Sequence, residues 1–126
     1  MKYQGRGYPD VSIIAVNYAV YIQGTINYLY GTSASTPVFA GMISLINAER
    51  EKIGLGTVGF INPTLYSVNN TEKYNDITIG SSNCCSSADS KSAYCCRGGF
   101  EARKGWDPVT GHGSVMYDNL LSMFMQ

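Results

Sequence analysis

Charge is scarce in this sequence. Only 14% of its 126 residues are charged, and nine basic residues cancel nine acidic ones, where a soluble domain usually carries about 25%. A chain without net charge has no field to gather a phosphate backbone or an anionic bilayer, so nucleic acid is excluded as an expected partner. Long hydrophobic runs are missing too. Gln, Asn, Ser, Thr and Gly interrupt every apolar stretch well short of the roughly 18 residues of a membrane span, so no membrane is expected. The start, Met1-Lys2-Tyr3-Gln4-Gly5-Arg6-Gly7, has no apolar h-region and does not read as a signal peptide. The chain is then either cytosolic or lacks its true amino terminus.

What is present suits a single globular unit. The length fits one domain, and 44% apolar content with ten Tyr and four Phe argues against disorder. The few charges are unevenly placed. Between Asp10 and Glu49 lie 38 residues without Asp, Glu, Lys, Arg or His, although a self-standing domain of this size would expose much of such a stretch. The segment reads as the centre of something larger.

The four cysteines form two adjacent pairs, Cys84-Cys85 and Cys95-Cys96. Immediate neighbours are about 3.8 Å apart at Cα and bridge poorly, so pairing across the intervening loop is expected, in an oxidising compartment. Free thiols are the alternative. Adjacent ligands do not wrap a chain around zinc, which makes a four-thiolate site the weakest reading. Asn69-Asn70-Thr71 is a formal glycosylation sequon at Asn69.

Val11-Ser12-Ile13-Ile14-Ala15-Val16 reads as a buried strand, and Thr25 to Tyr30 as a second strand with a turn on its Gly24 side. From Ser33 to about Arg50, apolar residues recur at three and four positions with Ala, Gly and Ser between them. This predicts a helix apolar nearly all round, buried inside an α/β domain, with Pro37 tolerated if it lies in the first turn. Asn62-Pro63 predicts a cap and first-turn proline for a short helix. Asp118 predicts the cap of a last helix reaching Met125. Residues 69 to 110 are polar and irregular, a loop that something covalent or ionic must hold.

Gly31-Thr32 makes an abrupt junction between strand and helix, with Ser33 at the helix mouth. Unpaired N–H groups of a first turn favour developing negative charge, as a tetrahedral acyl-transfer intermediate requires. Ser33, Ser35 and Thr36 read equally well as helix caps, and a nucleophilic serine needs a base that nothing nearby in sequence supplies.

Gly31-Thr32-Ser33-Ala34-Ser35-Thr36-Pro37-Val38-Phe39-Ala40-Gly41 resembles the nucleophile motif of the sedolisin family, serine-carboxyl peptidases with a subtilisin-like fold. Four further stretches resemble family landmarks in family order: Arg6 to Ser12, Gly59 to Tyr66, Tyr74 to Ile77 and Gly105 to Gly111. The likeness runs from about Gly5 to the carboxyl end. It implies the C-terminal portion of a three-layer parallel-sheet α/β domain, with the nucleophile helix at about 33–50 and a calcium-binding region at about 74–111.

The resemblance assigns Ser33 as the acylated nucleophile. It assigns the side chains of Asp76 and Asp107 and the carbonyls of Ile77, Arg103 and Gly105 as calcium ligands, a hard-oxygen set suited to that ion. Arg103 stands where the family often has glycine, and Tyr30 and Val115 also depart from its pattern without removing a ligand. Turn aspartates hydrogen-bonded to backbone amides are the alternative for Asp76 and Asp107.

The base in this family is a glutamate, oriented by one aspartate, with another at the oxyanion position. All three are expected upstream, in an N-terminal part of the same domain that this chain lacks. Glu49 and Glu51 lie about 24 to 27 Å along the helix from Ser33, at about 1.5 Å per residue. His112, the only histidine, reads as a surface loop residue rather than a replacement base. The implied activity is hydrolysis of peptide or protein substrates in acid, as tripeptidyl-peptidase or endopeptidase, in a secreted or lysosomal setting. A non-catalytic calcium-binding module or an inactive remnant of the family is the other reading.

Overall fold

The computed structural model describes residues 5–86 and 93–125. The side chains of Asn69 and Cys85 lie outside what is described, and with them the sequon and one of the four thiols.

The first element is a hairpin, β1 (Tyr18–Ile22) against β2 (Thr25–Leu29), with Ile22 opposite Thr25 and Tyr18 opposite Leu29. Gln23 and Gly24 make the two-residue turn with φ of 49° and 84°, the positive values that match the turn to the right-handed twist of its strands. The sequence locates β2 and the turn. It does not reveal β1, because Tyr-Ala-Val-Tyr-Ile is apolar without alternation.

The expected strand over Val11–Val16 is not a strand in a sheet. Its only ladder contact is a parallel bridge from Ser12 to Ser114; the carbonyls of Ile14 and Ala15 are taken by the Ser35 hydroxyl and the Gly31 amide rather than by a neighbouring strand. It runs instead as an extended strap.

Helix α1 (Thr32–Lys52) appears where the periodicity places it. Pro37 is its sixth residue, so it sits in the second turn and not the first, and removes the N–H that would have bonded the Ser33 carbonyl. The helix is not buried all round. Ile46 is fully buried, but Leu45 is 58% exposed, because only one face of α1, carrying Phe39, Met42, Ile43 and Ile46, meets the core. The helix ends with the amides of Gly54 and Leu55 bonded back to the carbonyls of Glu51 and Arg50, an arrangement that φ of 77° at Gly54 makes possible.

Helix α2 (Asn62–Leu65) has Asn62 inside its first turn and Ile61 at the cap, so Asn62 is not the cap. A 3₁₀ helix (Val68–Lys73) leads into β3 (Tyr74–Asn75), which pairs antiparallel with β6 (Ser114–Val115). Between them, β4 (Cys84–Ser86) pairs antiparallel with β5 (Ala93–Cys95). Helix α3 (Tyr117–Phe124) closes the chain with Met116 at its cap. Asp118 lies two positions past the cap and serves as a first-turn acid instead.

Ile46, Leu65, Tyr74, Val115, Leu120, Met123 and Phe124 form one core where α1, α2, α3 and the β3–β6 pair meet. The Arg50 guanidinium spans the end of this core, donating to the carbonyls of Gly56 and Phe124. The described residues therefore form an assembly of helices and three two-stranded antiparallel sheets. The parallel sheet of the expected three-layer fold is not among them. No described helix is long and apolar enough to cross a membrane.

One expected cross-loop pair forms: Cys84 and Cys95 face each other in the β4–β5 register and are joined as a disulfide. Cys96 is an exposed free thiol.

Candidate active-site junction and carboxylate turn

Ser33 is the second residue of α1 and is exposed. The junction before it depends on Gly31, whose φ of 140° and ψ of 151° lie in a region only glycine occupies comfortably. The Gly31 amide donates to the Ala15 carbonyl at 2.7 Å, and the Ser35 hydroxyl donates to the Ile14 carbonyl at 3.2 Å. The strap thus holds the junction from both sides of Ser33. The Thr36 hydroxyl bonds back to the Thr32 carbonyl at 2.9 Å.

The capping alternative fails at this helix. Gly31 occupies the cap, no side chain makes a cap hydrogen bond, and no acidic residue stands in the first turn. The positive end of the α1 dipole therefore meets no carboxylate from its own first turn. Glu49, at the opposite end, is engaged with Lys52 at 2.6 Å.

The second cluster is a turn. Asp107 is 3% exposed. Its Oδ1 accepts the amides of Val109 and Thr110, both at 2.9 Å, and its Oδ2 accepts the Arg103 amide at 2.9 Å. The Thr110 hydroxyl lies within 3.3 Å of both oxygens. Burial pushes the Asp107 carboxyl up, but the amides of Arg103, Thr110 and Val109 and the Thr110 hydroxyl outweigh it and hold the group below its ordinary value. Asp76 is exposed, and its Oδ2 accepts the Gly105 amide at 2.8 Å.

Both carboxylates therefore converge on the 103–107 turn. The structure unites Asp76, Arg103, Gly105 and Asp107 there, with Ile77 adjoining Asp76 in the chain. The Arg103 side chain turns to Glu101 at 3.4 Å, and neither aspartate has a Lys or Arg partner among the described residues. Both carboxylates accept backbone amides, as the turn-aspartate alternative has it; lacking a cationic side-chain partner, they also supply hard oxygens of the kind a calcium ion takes. No group of three or more His, Cys, Asp or Glu side chains gathers as a metal site among the described residues, so an ion here would depend on main-chain oxygens.

His112 is half-buried rather than a free surface residue. Its ring lies 5.0 Å from Tyr74, stacked, and 4.5 Å from Tyr66, edge-on, and its Nε2 is buried without a hydrogen-bond partner. Burial pushes its pKa down, against the upward pull of the Asp10 and Asp76 carboxylates. Beside it, Asp10 accepts the Tyr66 hydroxyl at 2.8 Å and lies 3.6 Å from Arg6.

Two landmark stretches meet at this point. The Trp106 indole donates to the Pro9 carbonyl at 3.1 Å and lies over Gly7, where a Cβ would strike the ring. Sequence reasoning missed Ser12 and Thr110 as connectors. The glycines at 111 and 113, where any Cβ would meet the backbone at Asp10 and Asn75, are the signal of close approach that could have found them.

No known family profile matches the chain. It is 46% identical over 121 residues to tripeptidyl-peptidase sed1 of Aspergillus fumigatus, covering 96% of this chain and 17% of the relative. It is 43% identical over 121 residues to aorsin of Aspergillus oryzae, covering 96% and 17%. With tripeptidyl-peptidase 1 of Bos taurus the identity is 40% over 122 residues, covering 96% and 21%. The chain belongs to the sedolisin family of serine-carboxyl peptidases. It spans about a fifth of the length of the curated relatives it matches.

Proposed function

We propose that this chain is the nucleophile-bearing, C-terminal part of a sedolisin-type peptidase domain that hydrolyses peptide bonds in acid. The observation that carries the reading is the exposed Ser33 hydroxyl on a glycine-defined junction, at the mouth of a helix with no side-chain cap.

In the complete domain, a carboxylate base from the remainder of the protein takes the Ser33 proton as its Oγ attacks the scissile carbonyl carbon. The carbonyl oxygen becomes an oxyanion, stabilised by first-turn N–H groups and a protonated acid. Collapse expels the amine, and water then releases the acyl group from Ser33. A carboxylate base with an ordinary pKa is ionised in mild acid while its partner acid keeps its proton, which suits acidic operation. The names of the relatives favour removal of tripeptides from peptide or protein substrates. The Cys84–Cys95 disulfide supports a secreted or lysosomal setting.

Calcium is the metal we assign to the carboxylate turn, held by Asp76 and Asp107 with the carbonyls of Ile77, Arg103 and Gly105. Its contribution is structural: it neutralises two carboxylates that no cationic side chain reaches and ties together a segment poor in apolar contacts.

The test is Ser33→Ala in the complete peptidase, with turnover and labelling by a serine-directed phosphonate as readouts. Loss of both is expected. Undiminished turnover would mean that Ser33 is not the nucleophile and that this part of the domain contributes a scaffold rather than the attacking group.

A further inference from the structure

The strap from Asp10 to Val16 is fixed at its two ends by different things. At its far end, Ile14 and Ala15 accept the Ser35 hydroxyl and the Gly31 amide, the groups on either side of Ser33. At its near end, Ser12 is bonded twice to the loop that follows Asp107. Its hydroxyl donates to the Thr110 carbonyl at 2.7 Å, and its amide donates to the Gly113 carbonyl at 3.0 Å. Thr110 is in turn held by the buried Asp107 carboxylate.

Val11 packs against the core, but a cavity of about 400 Å³ lined by Val11, Ser12, Ile13, Phe39 and Leu65 opens beside the strap. Where side chains face open space their dispersion contacts are lost, so hydrogen bonds do much to decide how far along the loop the strap lies.

We propose that Ser12 is a positioning residue for the nucleophile: its hydroxyl registers the strap on the Thr110 carbonyl, and the strap's Ile14 and Ala15 carbonyls set the backbone that aims Ser33. The proposal rests on reading Ser33 as the nucleophile. Without the Ser12 hydroxyl the strap loses one of its three bonds to the loop, keeping those from the Ser12 amide to the Gly113 carbonyl and from the His112 amide to the Asp10 carbonyl, and the backbone beyond Asp10 gains freedom. Small displacements of an attacking atom have large kinetic costs.

The experiment compares Ser12→Ala, Ser12→Thr and Asn119→Ala in the complete peptidase. Asn119 bonds the Lys73 carbonyl at 2.9 Å, remote from the junction, and its variant controls for the loss of one side-chain bond to a carbonyl. Four quantities are read: thermal midpoint, kcat and KM for a peptide substrate, the rate at which a phosphonate reagent phosphonylates Ser33, and hydrogen exchange of the Gly31 amide.

Ser12→Ala is expected to slow phosphonylation by about tenfold, with a matching loss in kcat rather than KM, and to speed Gly31 exchange several-fold. Ser12→Thr is expected to restore all three, whereas Asn119→Ala lowers only the thermal midpoint. Wild-type phosphonylation and exchange in Ser12→Ala, with or without a lower midpoint, would overturn the proposal and leave the peptidase reading standing. Faster Gly31 exchange in a protein whose Ser33 neither labels nor matters for turnover would overturn the peptidase reading and the proposal together.

Discussion

Gly31 and Ala15 are joined by a 2.7 Å hydrogen bond from the Gly31 amide to the Ala15 carbonyl, at the position immediately before α1, where a side chain would be strained. A Cβ there meets no neighbour within ordinary contact distance, apart from the amide of Ser33 at 3.9 Å. The glycine is therefore required for its dihedral angles and not for space. Gly31→Ala is expected to destabilise the fold by about 1 to 3 kcal/mol, the usual cost of a non-glycine residue in this region. Denaturant titration checks it, and an unchanged midpoint would mean that the junction relaxes to ordinary angles.

Asp107→Asn is expected to be destabilising by about 1 to 3 kcal/mol near neutral pH, because an amide group cannot accept hydrogen bonds at both ends as the carboxylate does. The folded Asp107 pKa lies below its unfolded value. Its contribution is thus complete above the unfolded pKa of about 3.9 and is lost as pH falls through the folded one. Stability curves of variant and wild type, measured with chelator, should converge at the acid end. Parallel curves down to the lowest pH would contradict the assigned hydrogen bonding.

For calcium, the decisive measurement is calorimetric titration of the complete domain and its Asp107→Ala variant. The variant is expected to bind more weakly, and the wild type alone should gain thermal stability on adding the ion, since a ligand stabilises the state that binds it. Equal affinities would make Asp107 a turn residue and nothing more.

His112 predicts a different pH dependence. Because burial lowers its folded pKa, the unfolded chain takes up a proton first as pH falls through about 6.5. Stability then falls with pH until the folded value is reached. His112→Phe, which keeps a ring between Tyr66 and Tyr74, is expected to flatten that part of the profile. A profile as steep as wild type would assign the slope to other groups.

The thiols make a chemical prediction. An alkylating reagent should modify Cys96 without reductant, whereas Cys84 and Cys95 should react only after reduction. Peptide mass mapping distinguishes the sites. Modification of Cys84 without reductant would mean that the bridge is not formed.

Expressed alone, the chain is expected to bind hydrophobic dyes and to unfold without cooperativity. Tyr21 is 74% exposed, Ile26 62% and Tyr28 69% on the β1–β2 hairpin, a larger apolar display than single soluble domains usually carry. A sharp calorimetric transition of a monomer would contradict this.

By itself the sequence determined the local events. Three- and four-residue apolar spacing specified α1, the Gly24 turn specified one end of β2, and the run of motifs carried family membership, since each depends on residues close together in the chain. Only tertiary structure could decide the rest. Whether Val11–Val16 pairs as a strand depends on what lies beside it, and here it finds a single bridge to Ser114 and the junction before α1 instead of a neighbouring strand. Whether His112 is wet or clamped depends on Tyr66 and Tyr74, and whether α1 is buried depends on which helices reach it. Asp76 and Asp107 illustrate the division most clearly: sequence named both, but their convergence on one turn, from positions 31 residues apart, is set by backbone amides that carry no sequence signature.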